Sequence, residues 1–167
     1  IYLSALIYFI ASGNFIGQLV VGSLLGAVVA VLVFITGRTL FGTQVGLFAG
    51  ILYAGSFLAV IYDRRFWNPT LVPLLSTTIY FCLSLIVIGK RSLWTYILLF
   101  LALGLSLHSH LSLTVYFLVL VLAVIVYRLP VKNRQVIIGI VVFLLTQLPI
   151  IIFEFRHQFL NTKAFLV

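Results

Sequence analysis

The 167-residue sequence has no methionine, a single cysteine and only two acidic residues, Asp63 and Glu154. Charge of either sign is scarce: Asp, Glu, Lys and Arg make up 7% of the chain, against about 25% in an ordinary soluble domain. So little polar surface cannot keep a folded chain in water. That excludes a soluble helical core and points to an integral membrane protein. The lone Cys82 excludes an internal disulfide. With no methionine, and with Ile1 opening inside an apolar run, we expect a piece of a longer chain. The opening lacks the basic region and small-residue cleavage site of a signal peptide. No P-loop, G-x-S-x-G, H-E-x-x-H or cysteine-based motif is present. The net charge of +8 is scattered over short connectors without interleaved aromatics, so nucleic acid is not an expected partner.

What the sequence does have is long uncharged runs. About 20 apolar residues cross a bilayer. Phe15–Thr36, Val45–Tyr62, Leu71–Gly89 and Gln135–Phe153 each qualify. The uncharged stretch between Arg91 and Arg128 is too long for one span. Its polar interruption, His108-Ser109-His110, divides it into Leu93–Leu107 and Leu111–Tyr127. The expected fold class is therefore all-α, a polytopic transmembrane bundle of about six spans. Ile1–Ala11 is too short to cross, and is either the end of a truncated span or an interfacial helix. Several small-xxx-small pairs, Gly22/Gly26, Gly42/Gly46 and Gly46/Gly50, are expected to let spans approach closely.

The connectors alternate between two sides. One side holds Gly37–Gln44, Lys90–Ser92 and Arg128–Arg134, with Arg38, Lys90, Arg91, Arg128, Lys132 and Arg134. The other holds Ser12–Asn14, Asp63–Thr70, the His-Ser-His turn and the tail from Glu154, with Arg64, Arg65, Arg156 and Lys163. Six cations against four make the first side the expected cytoplasmic one. Both acids and all three histidines then collect on the external side. Asp63, Arg64 and Arg65 would each cost roughly 2.5–3.5 kcal/mol at mid-bilayer, so they belong at the interface or in a wet pocket.

Three groups there could carry chemistry. Arg64 and Arg65 are either interface anchors or a clamp whose guanidinium forks match phosphate oxygens. Beside them, Trp67 is either an aromatic-belt residue or a stacking surface for a sugar, and Asn68 suits a helix cap. Pro69 suits the first turn of the helix that follows. His108 and His110, two apart, would diverge on a helix but could act together in an extended turn. Two ligands do not make a site, so a divalent metal is unsupported. Glu154 and His157, three apart, could share a helix face beside Arg156. No paired-carboxylate signature accompanies them.

The order of "GRTLFGTQVGLFAGIL", "RRFWNPTLVPLL", "W…LLFLALGLSLHSHLS" and "LPIIIFEFRHQFLNT" resembles multispan GT-C glycosyltransferases. The similarity is to the lipopolysaccharide glycosyltransferase-like branch related to protein O-mannosyltransferases. The opening "IYLSALIYFI" is similar to an interfacial segment late in that family's first external loop. The resemblance implies transfer of a sugar from a polyprenyl-phosphate donor to a lipid or glycan acceptor of the cell envelope, at the outer membrane–water boundary. It also implies that the general base is an acidic residue in a first external loop upstream of Ile1, so the piece in hand is expected to be inactive alone. Residues 1–14 are then an interfacial or truncated helix with its connector. Residues 15–167 are a partial transmembrane glycosyltransferase domain, with membrane lipids as further partners. Arg64, Arg65, Trp67, Asn68, His108, His110, Glu154, Arg156 and His157 are the candidate substrate-binding residues, and no catalytic residue is assigned. The alternative, a transporter or flippase segment, would need a polar path through the spans. Their interiors offer little beyond Gln18, Gln147 and Ser/Thr.

Overall fold

The computed structural model describes residues 2–63, 68–160 and 163. Among these there are helices and turns but no strand. The helices are α1 Tyr2–Ile10, α2 Ile16–Phe41, α3 Thr43–Ala54, α4 Phe57–Asp63, α5 Val72–Val87, α6 Leu93–Ser109, α7 Val115–Val126 and α8 Arg134–Arg156. Single 3₁₀ turns at Asn68–Leu71 and Leu111–Thr114 lead into α5 and α7. Ile16–Phe41, Pro69–Val87 and Arg134–Arg156 are long and apolar enough to cross a membrane, and α3, α6 and Leu111–Val126 are shorter apolar helices.

Two expected boundaries are corrected. The connector placed at Gly37–Gln44 is mostly helix: α2 runs to Phe41, and Gly42 alone separates it from α3. Nothing from Gly37 to Phe41 interrupts the helix. The reversal is confined to one residue because Gly42 takes φ 97° and ψ 169°, a conformation open essentially to glycine alone. The second correction is at Val45–Tyr62, expected as one span. The helix stops at Gly55, and Ser56 restarts it by accepting the Ala59 N–H at 3.4 Å.

Close backbone approach joins α2 to α3. A Cβ on Gly46 would lie 2.6 Å from the Phe34 carbonyl oxygen and 2.7 Å from the Arg38 nitrogen. A Cβ on Gly37 would meet Gly46 Cα at 3.0 Å, and one on Gly50 would meet Phe34 Cβ at 3.1 Å. The Gly46/Gly50 pair is therefore a packing surface, as expected. Gly42 is not part of one, since it lies in the turn with open space around it. Gly22 and Gly26 are both buried on α2. Tyr53, Ala54, Ala59 and Val60 face Ser23–Ala30 across a cleft, so α3 and then α4 run back along α2 towards its start.

The core lies between α5 and α6. Ile79, Cys82, Leu99 and Leu103 are buried there, and Leu113 from the second 3₁₀ turn closes it. The α5–α6 turn is set by Gly89 at φ 89°, with the Lys90 N–H reaching back to Leu85 O at 2.8 Å. This six-to-one bond reverses the chain and satisfies an orphan helix-end carbonyl. Side-chain caps start the next helices: Ser92 accepts from the Thr95 N–H at 3.1 Å and Asn133 from the Val136 N–H at 2.7 Å.

Helix α8 lies parallel to α6. Arg91 pairs with Gln135, Phe100 with Gly139, and Gly104 with Thr146, advancing together along both helices. No residue of α7 is buried, and only Gly139 and Glu154 of α8 are. The outward faces are Leu, Ile, Val and Phe, which is the surface of an integral membrane bundle. Helix α1 has nine residues, Tyr2–Ile10. Its Ile7 and the following Ala11 close onto Gly17 in the first turn of α2.

Candidate functional site

The bundle has two chemically different ends. At one end lie the α2–α3, α5–α6 and α7–α8 connectors, with Arg38, Lys90, Arg91, Arg128, Lys132 and Arg134. At the other lie the end of α6, both 3₁₀ turns, the end of α4 and the end of α8. Because α5 and α6 are antiparallel, the Asn68–Leu71 turn that opens α5 lies against the last part of α6. The Asn68–Leu71 turn is thus at the same end as His108–His110. Arg64, Arg65 and Trp67 themselves lie outside the described residues. Pro69 falls in the 3₁₀ turn, and Pro73 is the proline in the first turn of α5.

The two histidines of the turn are not equivalent. His108 is still on α6, and its Nε2 lies 2.8 Å from the Thr146 carbonyl oxygen on α8. A carbonyl only accepts, so Nε2 is the donor and Nδ1 is left as an acceptor. His110 is extended, and its Nδ1 accepts the Ser112 N–H at 3.2 Å, with Ser112 Oγ at 2.8 Å. Its Nε2 therefore carries the proton and is the group left to donate. Each ring thus has a local structural bond and one spare nitrogen, and the two spare nitrogens have opposite character. Both side chains are exposed.

His108 belongs to a polar seam between α6 and α8. Gly104 has no side chain because Thr146 Oγ1 occupies the position its Cβ would take. Gln147 Nε2 donates to Gly104 O at 3.2 Å and to Thr146 Oγ1 at 2.8 Å. Gln147 is therefore a structural link between helices. The seam fixes how far α8 projects beyond the His108 level. From Thr146 to His157 is eleven residues along the chain, about 16 Å of helix rise. His157 and Arg156 thus share an end with His108 but lie farther along the helix axis.

At that tip, His157 Nδ1 donates to Phe153 O at 2.9 Å, and its ring stacks on Phe153 at 4.1 Å. Arg156 is exposed. Glu154 is only 9% exposed, between Phe153 at 38% and Phe155 at 69%. It is a buried charged residue, and it is not without a partner.

A further residue at this end was not singled out from the sequence. Ser109 Oγ is buried and has no hydrogen-bond partner. Such groups are rare in folded proteins, and each calls for a ligand or a water. Its position between two histidines was visible, but its burial depends on how neighbouring turns pack over α6. Among the described residues, no three of His, Cys, Asp and Glu come together as metal ligands.

Comparison with known proteins found no matching curated protein and no matching solved structure. A family model does match, over residues 1–153, and its description is dolichyl-phosphate-mannose-protein mannosyltransferase. It covers both 3₁₀ turns, the histidine turn and the α6–α8 seam, and it stops immediately before Glu154. It gives no support to a transporter. The chain belongs to the dolichyl-phosphate-mannose-protein mannosyltransferase family, membrane glycosyltransferases of GT-C type that use a polyprenyl-phosphate-linked sugar.

Proposed function

We propose that this chain is the transmembrane part of a glycosyltransferase that moves a sugar from a polyprenyl phosphate to a lipid or glycan acceptor of the cell envelope, on the non-cytoplasmic face. The family match over residues 1–153 carries the reading. In it, residues 1–14 form an interfacial or truncated helix and its connector, and residues 15–167 form the multi-pass domain, in the plasma membrane.

The donor's charged centre is its phosphate, which needs hydrogen-bond donors and positive charge. Arg64 or Arg65, on the segment leading to Asn68, supplies the fork. His110 Nε2–H and the Ser109 hydroxyl add neutral donors, while the spare His108 Nδ1 accepts from a sugar hydroxyl. Trp67 and Asn68 border the sugar, and Glu154, Arg156 and His157 form the outer rim. Such groups act by fixing the donor and by stabilising charge as the glycosidic bond to phosphate breaks. The three histidines and the buried Ser109 hydroxyl gathered at this end support the assignment.

The test is alanine replacement in the whole enzyme. Arg64→Ala, Arg65→Ala and the double variant are expected to weaken donor binding and slow turnover, with the double variant the most affected. Unchanged donor affinity and turnover in all three would remove the clamp.

A further inference from the structure

A second site lies at the opposite, basic end of the bundle. A partly enclosed cavity of ≈ 120 Å³ is bounded by Ile86 of α5, Tyr96 and Phe100 of α6, Leu120 of α7, and Leu129 and Val131 of the following connector. Its walls are apolar except at Tyr96. That residue is 3% exposed, and its hydroxyl is buried without a hydrogen-bond partner. The cavity is large enough for water, but a buried water needs two to four polar partners, and the lining offers one. An apolar ligand that presents a single acceptor near the mouth fits better.

The two connectors beside the cavity, 88–92 and 127–134, carry basic residues and no acidic one. Arg91 folds back so that its Nε donates to the carbonyl of the lining residue Ile86 at 3.3 Å. Arg128 and Lys132 bracket lining residues 129–131, and Lys90 and Arg134 stand in the same two connectors. Gln135 Nε2 ties those connectors together by donating to Arg91 O at 2.9 Å. Both acids of the chain are at the other end. The Tyr96 position is one turn inside the start of α6, about 6 Å from Ser92 along the axis.

We propose that this cavity binds one acyl chain of an anionic glycerophospholipid. Three chemistries follow in the order that such a lipid presents them. Its phosphate meets Arg91 and Arg128 at the rim, its ester carbonyl accepts from the Tyr96 hydroxyl, and the first few carbons of the chain fill the apolar slot, the rest running out along the apolar surface of the bundle. Basic pockets between membrane helices are suited to such headgroups, with each nearby Lys or Arg strengthening binding about fivefold. The lipid holds α5, α6 and the α7–α8 connector together, and so supports the end of the bundle away from the transfer site.

The experiment is native mass spectrometry of the whole protein, purified from membranes and exchanged into nanodiscs of phosphatidylcholine with or without phosphatidylglycerol. One phosphatidylglycerol is expected to survive delipidation of the wild type. Arg91→Gln and Arg128→Gln are each expected to cut its occupancy about fivefold. Tyr96→Phe, which removes only the unpartnered hydroxyl, is expected to weaken retention while leaving thermal stability in phosphatidylcholine unchanged or raised. Equal retention of phosphatidylcholine, or unchanged retention in Tyr96→Phe, would overturn the proposal. So would displacement by inorganic phosphate, which would show an anion site, or by a short polyprenyl monophosphate, which would show a donor-lipid site.

Discussion

The closest approach in the bundle gives a sharp prediction. Replacing Gly46 by alanine puts a carbon 2.6 Å from Phe34 O and 2.7 Å from Arg38 N. A carbon and a carbonyl oxygen settle at about 3.3 Å, so α3 must retreat from α2 by about 0.7 Å. The obstructing atoms are backbone and cannot rotate away. A gap of 0.5–1 Å forfeits roughly a quarter to a half of the dispersion at each affected contact. Overpacking of this kind costs about 1–3 kcal/mol, and the rigid neighbours place it near the upper limit. Alanine's better helix propensity returns about 1 kcal/mol, which leaves a net loss of about 1–2 kcal/mol. At Gly50 the nearest atom is the Phe34 side-chain Cβ at 3.1 Å. The retreat there is a few tenths of an ångström, and propensity nearly cancels it, so Gly50→Ala is expected within about 0.5 kcal/mol of wild type. Reversible unfolding in mixed micelles measures both. Gly46→Ala at or above wild-type stability, or Gly50→Ala as damaging as Gly46→Ala, would refute the packing argument.

Other outcomes follow from the same geometry. Gly104→Ala is expected to destabilise by about 1–3 kcal/mol, because Thr146 Oγ1 stands where the new carbon goes. Adding Thr146→Ala is expected to recover much of the loss, read as a positive coupling in a double-mutant cycle of unfolding free energies. Ser109→Ala removes a buried hydroxyl with no protein partner, so the melting temperature is expected to hold or rise, whereas the donor KM of the whole enzyme rises. Asn133→Ala deletes the α8 cap made at 2.7 Å and is expected to cost about 1 kcal/mol in the same unfolding assay.

The fold class could be read from the sequence because lipid imposes one simple rule, long uncharged runs satisfied by their own helical bonds. The basic connectors also marked one end of the bundle from charge alone. The break at Gly55–Ser56 was hidden because neither residue is polar enough to interrupt an apolar run, while a Ser hydroxyl can still cap a new helix. The length of α2 was underestimated for a related reason. Arg38 suggested a loop, yet at a helix end it costs little, and only the φ of Gly42 fixes the turn. At the candidate site, the sequence placed His108 and His110 in one turn but could not assign their spare nitrogens. Those depend on Thr146, 38 residues away, and on the Ser112 N–H. The burial of Ser109, Tyr96 and Glu154 needed the packing of neighbouring elements, which no local pattern encodes. Gln147 looked like a stray polar residue and is a bond between helices.

The central claim is that the donor's phosphate sits at the histidine-bearing end of the bundle. The most direct measurement is photo-cross-linking of the membrane-embedded whole enzyme with a polyprenyl-phosphate sugar carrying a diazirine next to the phosphate, followed by peptide mapping. The account predicts labelling within residues 62–70 and 106–114, competed by unlabelled donor. Labelling concentrated instead at residues 88–92 and 128–134 would contradict it.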